Sequence, residues 1–124
     1  MTTEKLIEYI EGEYGVKHDN PFEKYQDISV FRHKDNKKWF AILMSIDASY
    51  FGRNGNEVWS LGVKCDPLLK TSFLSQKGVY SAYHMNKEHW LTLCLDEICD
   101  NDLKTLIDIS FTLTEKKYKK TKSA

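Results

Sequence analysis

The spacing of hydrophobic residues switches repeatedly along this chain, and each switch marks a predicted element. Leu6, Ile7, Ile10 and Tyr14 recur at helical spacing while Glu4, Glu8 and Glu11 fall elsewhere, which predicts an amphipathic helix over residues 3–14. Thr2 or Thr3 can cap its start and Gly15 can close it. From Ile28 the period becomes two, giving a strand with Ile28 and Val30 on one side. Lys34-Asp35-Asn36-Lys37 then supplies turn chemistry.

A second strand, Lys38 to Ile46, puts Phe40, Ile42, Met44 and Ile46 on one face and Trp39, Ala41 and Leu43 on the other. Two apolar faces predict an interior strand, covered by helices on one side and partly shielded on the other. Asn54-Gly55 marks a turn before a third strand, Glu57 to Cys65. Asp66-Pro67 predicts the start of a helix running to about Ser75, with Leu68, Leu69, Phe73 and Leu74 as its buried stripe and Gly78 to close it. Tyr80 to Met85 and His89 to Leu95 read as a second hairpin around Asn86-Lys87. Asp100, Asn101 and Asp102 precede a last helix carrying Leu103, Leu106, Ile107 and Ser110. The expected fold is α+β in the order α-β-β-β-α-β-β-α, one domain spanning 1–124, with an antiparallel sheet and helices mainly on one face.

Composition leaves that picture intact. A chain of 124 residues, 41% hydrophobic and 29% charged, can bury one core. No apolar run approaches the roughly 18 residues of a membrane span. The acidic start lacks the basic-then-apolar character of a secretion leader, and three unpatterned cysteines fit a reducing compartment, so the expected location is the cytoplasm. Net charge is zero, but unevenly spread: residues 115–124 hold five lysines against one glutamate, leaving residues 1–114 with thirteen bases and seventeen acids. A mildly acidic body argues against tight non-specific DNA binding by the whole surface and directs attention to local patches.

Candidate chemistry is sparse. His84 and His89 stand five apart with no third ligand at a matching offset, and Cys94 with Cys99 makes a lone pair, so no metal or cofactor is expected. Cys65 alternates with core positions, which predicts an inert thiol, and no carboxylates are spaced as an acid–base pair. No catalytic residue is assigned. Trp39, Ser60, Gly62 and Trp90 form a candidate aromatic platform if the second sheet face is open. For duplex binding the candidates are Arg32, Lys34, Lys37 and Lys38 around the first turn, Arg53 and Lys87 in later loops, and Lys116, Lys117, Lys119 and Lys120 in the tail. The bland reading of each is a solubilising turn or helix end. A small-ligand pocket formed by Tyr83, His84, Asn86, His89 and Trp90 is a further candidate.

The run PLLKTSFLSQKGVYSAYHMNKEHWLTLCLDEICDNDLKTLIDISFTLT resembles the C-terminal signature of the MmcQ/YjbR family. VFRHKDNKKWFAIL resembles that family's first hairpin, and YHMNKEHW, with Lys64-Cys65-Asp66-Pro67, is the most specific part. The resemblance implies a CyaY-like or secretion-chaperone-like α+β domain whose hairpins form a double-wing arrangement, and a DNA-binding role that rests on fold analogy. It brings no catalytic residues. The expectation is therefore a monomeric, non-enzymatic protein binding duplex DNA weakly and in a salt-dependent way. The competing expectations are a protein-interaction or chaperone-like module using an open sheet face, and a small-ligand-binding domain.

Overall fold

The computed structural model describes residues 1–116. Helix α1 spans Thr3–Tyr14, with the Thr2 hydroxyl accepting from the Lys5 amide and Gly15 closing the helix at φ 64°. Its stripe buries Leu6 and Ile10. Between α1 and the last helix run β1 (Ser29–Arg32), β2 (Trp39–Asp47), β3 (Glu57–Lys64), α2 (Lys70–Leu74), β4 (Val79–Ser81) and β5 (Trp90–Cys94). Helix α3, Asp100–Thr114, buries the predicted Leu103, Leu106, Ile107 and Ser110. Asp100 and Asp102 lie in its first turn, where acids favour the helix dipole, although Cys99 rather than an acid occupies the cap.

The strands form one antiparallel sheet in the order β1-β2-β3-β5-β4. Ala41, Leu43, Leu61, Val63, Leu91 and Leu93 make the main core with α1 and α3. The buried Ser110 hydroxyl fastens α3 to two strands at once, donating to the Phe40 carbonyl at 2.6 Å and accepting from the Lys64 amide at 2.8 Å. A 3-10 turn, Ala48–Phe51, brings Phe51 onto Ile46 and Cys94 as a smaller cluster, flanked by Met44, Tyr80 and Tyr83. That cluster partly shields the second face.

Three local expectations are corrected. The face assignment of Trp39 and Phe40 is reversed by a register slip: Phe31 pairs with Ala41 and Arg32 with Trp39, so Phe40 is the extra residue. Phe40 therefore joins Ala41 in the main core, while Trp39 lies half-buried under the Arg32 guanidinium. The Asp66-Pro67 step does not cap a long helix, because the Asp66 carboxylate and carbonyl accept from the amides of Leu68 and Leu69 in a turn. The helix beyond that turn has only five residues and no buried side chain, and Leu68 is 90% exposed. The second hairpin is shorter than predicted. The Tyr83 amide bonds to the Thr92 hydroxyl instead of extending the ladder, and His84 turns the chain at φ 56°.

Candidate nucleic-acid interface

Antiparallel pairing sorts the loops into two groups. The β1–β2 turn, the end of β3 and the β4–β5 loop lie at one end of the sheet, and the 48–56 loop and the 95–99 turn lie at the other. Helix α3 starts from the second end and finishes against the β1–β2 turn. There His33, buried, has its Nε2 2.8 Å from the Thr114 hydroxyl and 3.1 Å from the Phe111 carbonyl, while Asn36 donates its amide to the Thr114 carbonyl at 2.9 Å. The Thr114 hydroxyl gives its own proton to the Ser110 carbonyl, so Nε2 of His33 is the donor.

This anchoring presents Lys34, Lys37 and Lys38 outward, all three exposed. Lys37 is held in the left-handed region at φ 62°, where a lysine is strained. Beside the turn lies a shallow hollow of about 200 Å³, lined by Val16, Lys17, Asp19, Arg32, His33, Lys34 and Lys37. Its lining sets Lys17, Arg32, Lys34 and Lys37 against the single carboxylate of Asp19. Arg32 is committed to that carboxylate, at 2.7 Å from Asp19, and Lys17 lies 3.9 Å from Glu11, so Lys34 and Lys37 are its outward charge. Lys116 follows α3 at the same end, exposed to solvent. Lys117, Lys119 and Lys120 lie outside the described residues.

The remaining candidate contacts separate from this set. Lys87 shares the end but sits on the far edge of the sheet, with its ammonium donating to the Ala82 carbonyl at 2.7 Å. Arg53 lies at the opposite end. Its guanidinium donates to both Asp96 oxygens at 3.1 Å, and its buried Nε, with no hydrogen bond, lies 3.7 Å from Glu97. These bonds hold the Asp96 carboxyl below the usual carboxylate range. Burial, with a bond to Asp96, pushes the neighbouring Cys94 thiol up to about 12, and the bond to Glu97 pushes the Tyr80 hydroxyl up to about 12. Cys94, Asp96 and Glu97 are metal-ligand types brought close together, but Arg53 already balances their charge. Sequence spacing offers no signal for this cluster, because Arg53 arrives from 41 positions away.

The candidate pocket residues gather in one loop and line neither the hollow beside the first turn nor a larger groove at the opposite end. Tyr83 stacks on exposed His84 at 4.1 Å, and the Asn86 side chain accepts from the Glu88 amide while its carbonyl accepts from the amides of His89 and Trp90. Trp90 pairs with Lys64, half-buried. In the aromatic platform, Ser60 and Gly62 are buried, and the Ser60 hydroxyl is turned onto the Met44 carbonyl. Cys65 is buried, and burial raises its thiol pKa.

Fold and surface together define a small α+β domain with a five-stranded open sheet, three helices among the described residues and a lysine-rich end. The YjbR family model matches residues 12–113, and the chain belongs to the YjbR family. It is 32% identical over 117 residues to the uncharacterized protein YyaQ of Bacillus subtilis strain 168, covering 93% of this chain and 99% of that one. A crystal structure of a Pseudomonas syringae protein is similar with 43% identity and a TM-score of 0.88, over 93% of this chain and all of the other. A Deinococcus radiodurans structure, at 22% identity and a TM-score of 0.70 over 94% of this chain and 80% of that one, shares the fold.

Proposed function

We propose that this protein is a non-enzymatic nucleic-acid-binding domain that holds the phosphate backbone of duplex DNA at its lysine-rich end. One observation carries the reading: the 33–38 turn is bonded to the last turn of α3, so Lys116 follows that helix at the end of the sheet that carries Lys34, Lys37 and Lys38. Clustering matters because backbone affinity grows with the number of phosphates neutralised together. The β4–β5 loop at the same end can add a second, weaker contact. Arg53 has no part in it, being at the opposite end and neutralised. Lysines on phosphates carry no base information, so binding is sequence-tolerant.

Titration of labelled duplex at two salt concentrations tests the proposal. Binding at low salt that weakens steeply with added salt, and is lost in K34E/K37E/K38E, is the expected result. Absence of binding at low salt, or binding indifferent to those three charges, contradicts it.

A second reading, docking of another protein, is favoured by α2 and its approach, where Leu68, Leu69 and Leu74 are exposed. Capture of a defined partner that L68S/L69S abolishes, with duplex binding unchanged, would shift the assignment to that surface.

A further inference from the structure

The opposite end of the sheet carries a feature that nucleic-acid binding does not use. Beyond the region covered by α1 and α3, the sheet ends in a row of helix-facing residues in which Ser45 pairs with Trp59, whose carbonyl accepts from the Leu95 amide. Trp59 remains 38% exposed, an anomaly for a tryptophan on the helix-covered face. It lies in a groove of about 720 Å³ bounded by Met1–Lys5 of the α1 start, Glu57 and Val58 of β3, and Leu95, Asp96 and Asp100.

The charges around Trp59 are mostly negative. Ser45 Oγ lies 2.7 Å from a Glu57 oxygen and 3.1 Å from an Asp27 oxygen. A hydroxyl has one proton, so it satisfies only one of those two exposed carboxylates. Asp100, on the groove's far side, lies 3.5 Å from the Met1 ammonium, which offsets its charge. Glu4 adds a further acid, and among the described residues Lys5 is the only lysine or arginine lining the groove. An exposed indole flanked by carboxylates matches a cation with an aliphatic stem: the stem packs on the ring, and the charged head meets the acids.

We propose that this groove binds a lysine or arginine side chain presented by an extended basic peptide of a partner protein. Trp59 supplies the stacking face, Glu57 takes the charged head, and Glu4 adds negative charge at the rim. Acidic or neutral peptides are excluded by the same carboxylates. The site is independent of the lysine-rich end, so one domain can hold a polyanion and a polycation at once.

Calorimetric titration of acetylated tetralysine into the full chain at low salt tests the assignment. Saturable one-to-one binding is expected, weakened roughly tenfold in W59A and restored in part by W59F. E57K, an exposed position that leaves the core untouched, is expected to abolish binding even if W59A folds poorly. K34E/K37E/K38E is expected to bind the peptide normally while losing duplex, so either site can fail without the other. Three outcomes would overturn the proposal: no saturable binding, equal binding by E57K and the unmodified chain, or peptide-free self-association at low salt that E57K removes. The last would make a second copy of this chain the occupant.

Discussion

The two ends of the sheet use basic residues in opposite ways. At the β1–β2 end, side-chain hydrogen bonds do the fastening, with His33 and Asn36 bonded to Thr114, and the lysines are left facing outward. At the other end the cation itself is the fastener, since Arg53 ties the 48–56 loop to Asp96 and Glu97. A base in a loop thus stays available to a partner only when something else holds the loop. The Arg53 charge is consumed by folding, while Lys34, Lys37 and Lys38 remain available to a partner.

The largest expected effect breaks this comparison at the lysine end. K34E/K37E/K38E is expected to weaken duplex binding about a hundredfold at low salt and to lower the slope of log affinity against log salt by about three, measured by anisotropy at several salt concentrations. T114V comes next, because it removes the hydroxyl that receives His33. A stability loss of about 1–2 kcal/mol in urea titration is expected, together with looser duplex binding as the turn loses its anchor. R53M should cost less, since Arg53 is solvent-accessible and its ion pairs are screened, and duplex affinity should stay unchanged.

The effect of R53M also depends on pH. The folded Asp96 carboxyl is held below its ordinary value, so the pairing stabilises fully above the unfolded aspartate pKa of about 3.9 and is lost as pH falls through the folded value. The stability gap between R53M and the unmodified chain should therefore narrow as pH is lowered from 7 toward acid. Smallest is K37G, which relieves a lysine at φ 62° and should raise stability by about 1 kcal/mol while weakening duplex binding slightly. A gain in stability with no change in binding would mean that Lys37 is strained without serving the interface.

Periodic stretches were readable from the chain because a repeated pattern reports burial directly. Leu6 and Ile10 in α1, Leu103, Leu106, Ile107 and Ser110 in α3, and the alternation of Leu61 and Val63 in β3 all bury as their spacing predicts. Features that depend on one residue out of step were not. The extra residue at Phe40 inverts two aromatic positions, and nothing in WFAIL announces a slip that the pairing with Phe31 and Arg32 imposes. The leucines near α2 read as a buried stripe, yet Leu68, Leu69 and Leu74 are exposed and only Phe73 of that stripe packs against the core.

Site residues were legible by type and not by place. Four basic side chains around one turn, Arg32, Lys34, Lys37 and Lys38, stood out in the sequence, but whether Arg53 joined them depended on which end of an antiparallel sheet its loop occupies. Trp59 alternates in phase with Leu61 and Val63, which places it on the inward face of β3, while its exposure depends on where α1 begins, a tertiary fact.

Amide chemical-shift mapping of the full chain on addition of a short duplex at low salt tests the central claim most directly. The account predicts shifts concentrated at residues 33–38 and 114–116, weaker ones in the β4–β5 loop, and none around Glu57 and Trp59. Shifts centred on the Arg53 loop or on the Trp59 groove, or no shifts at any residue, would contradict it.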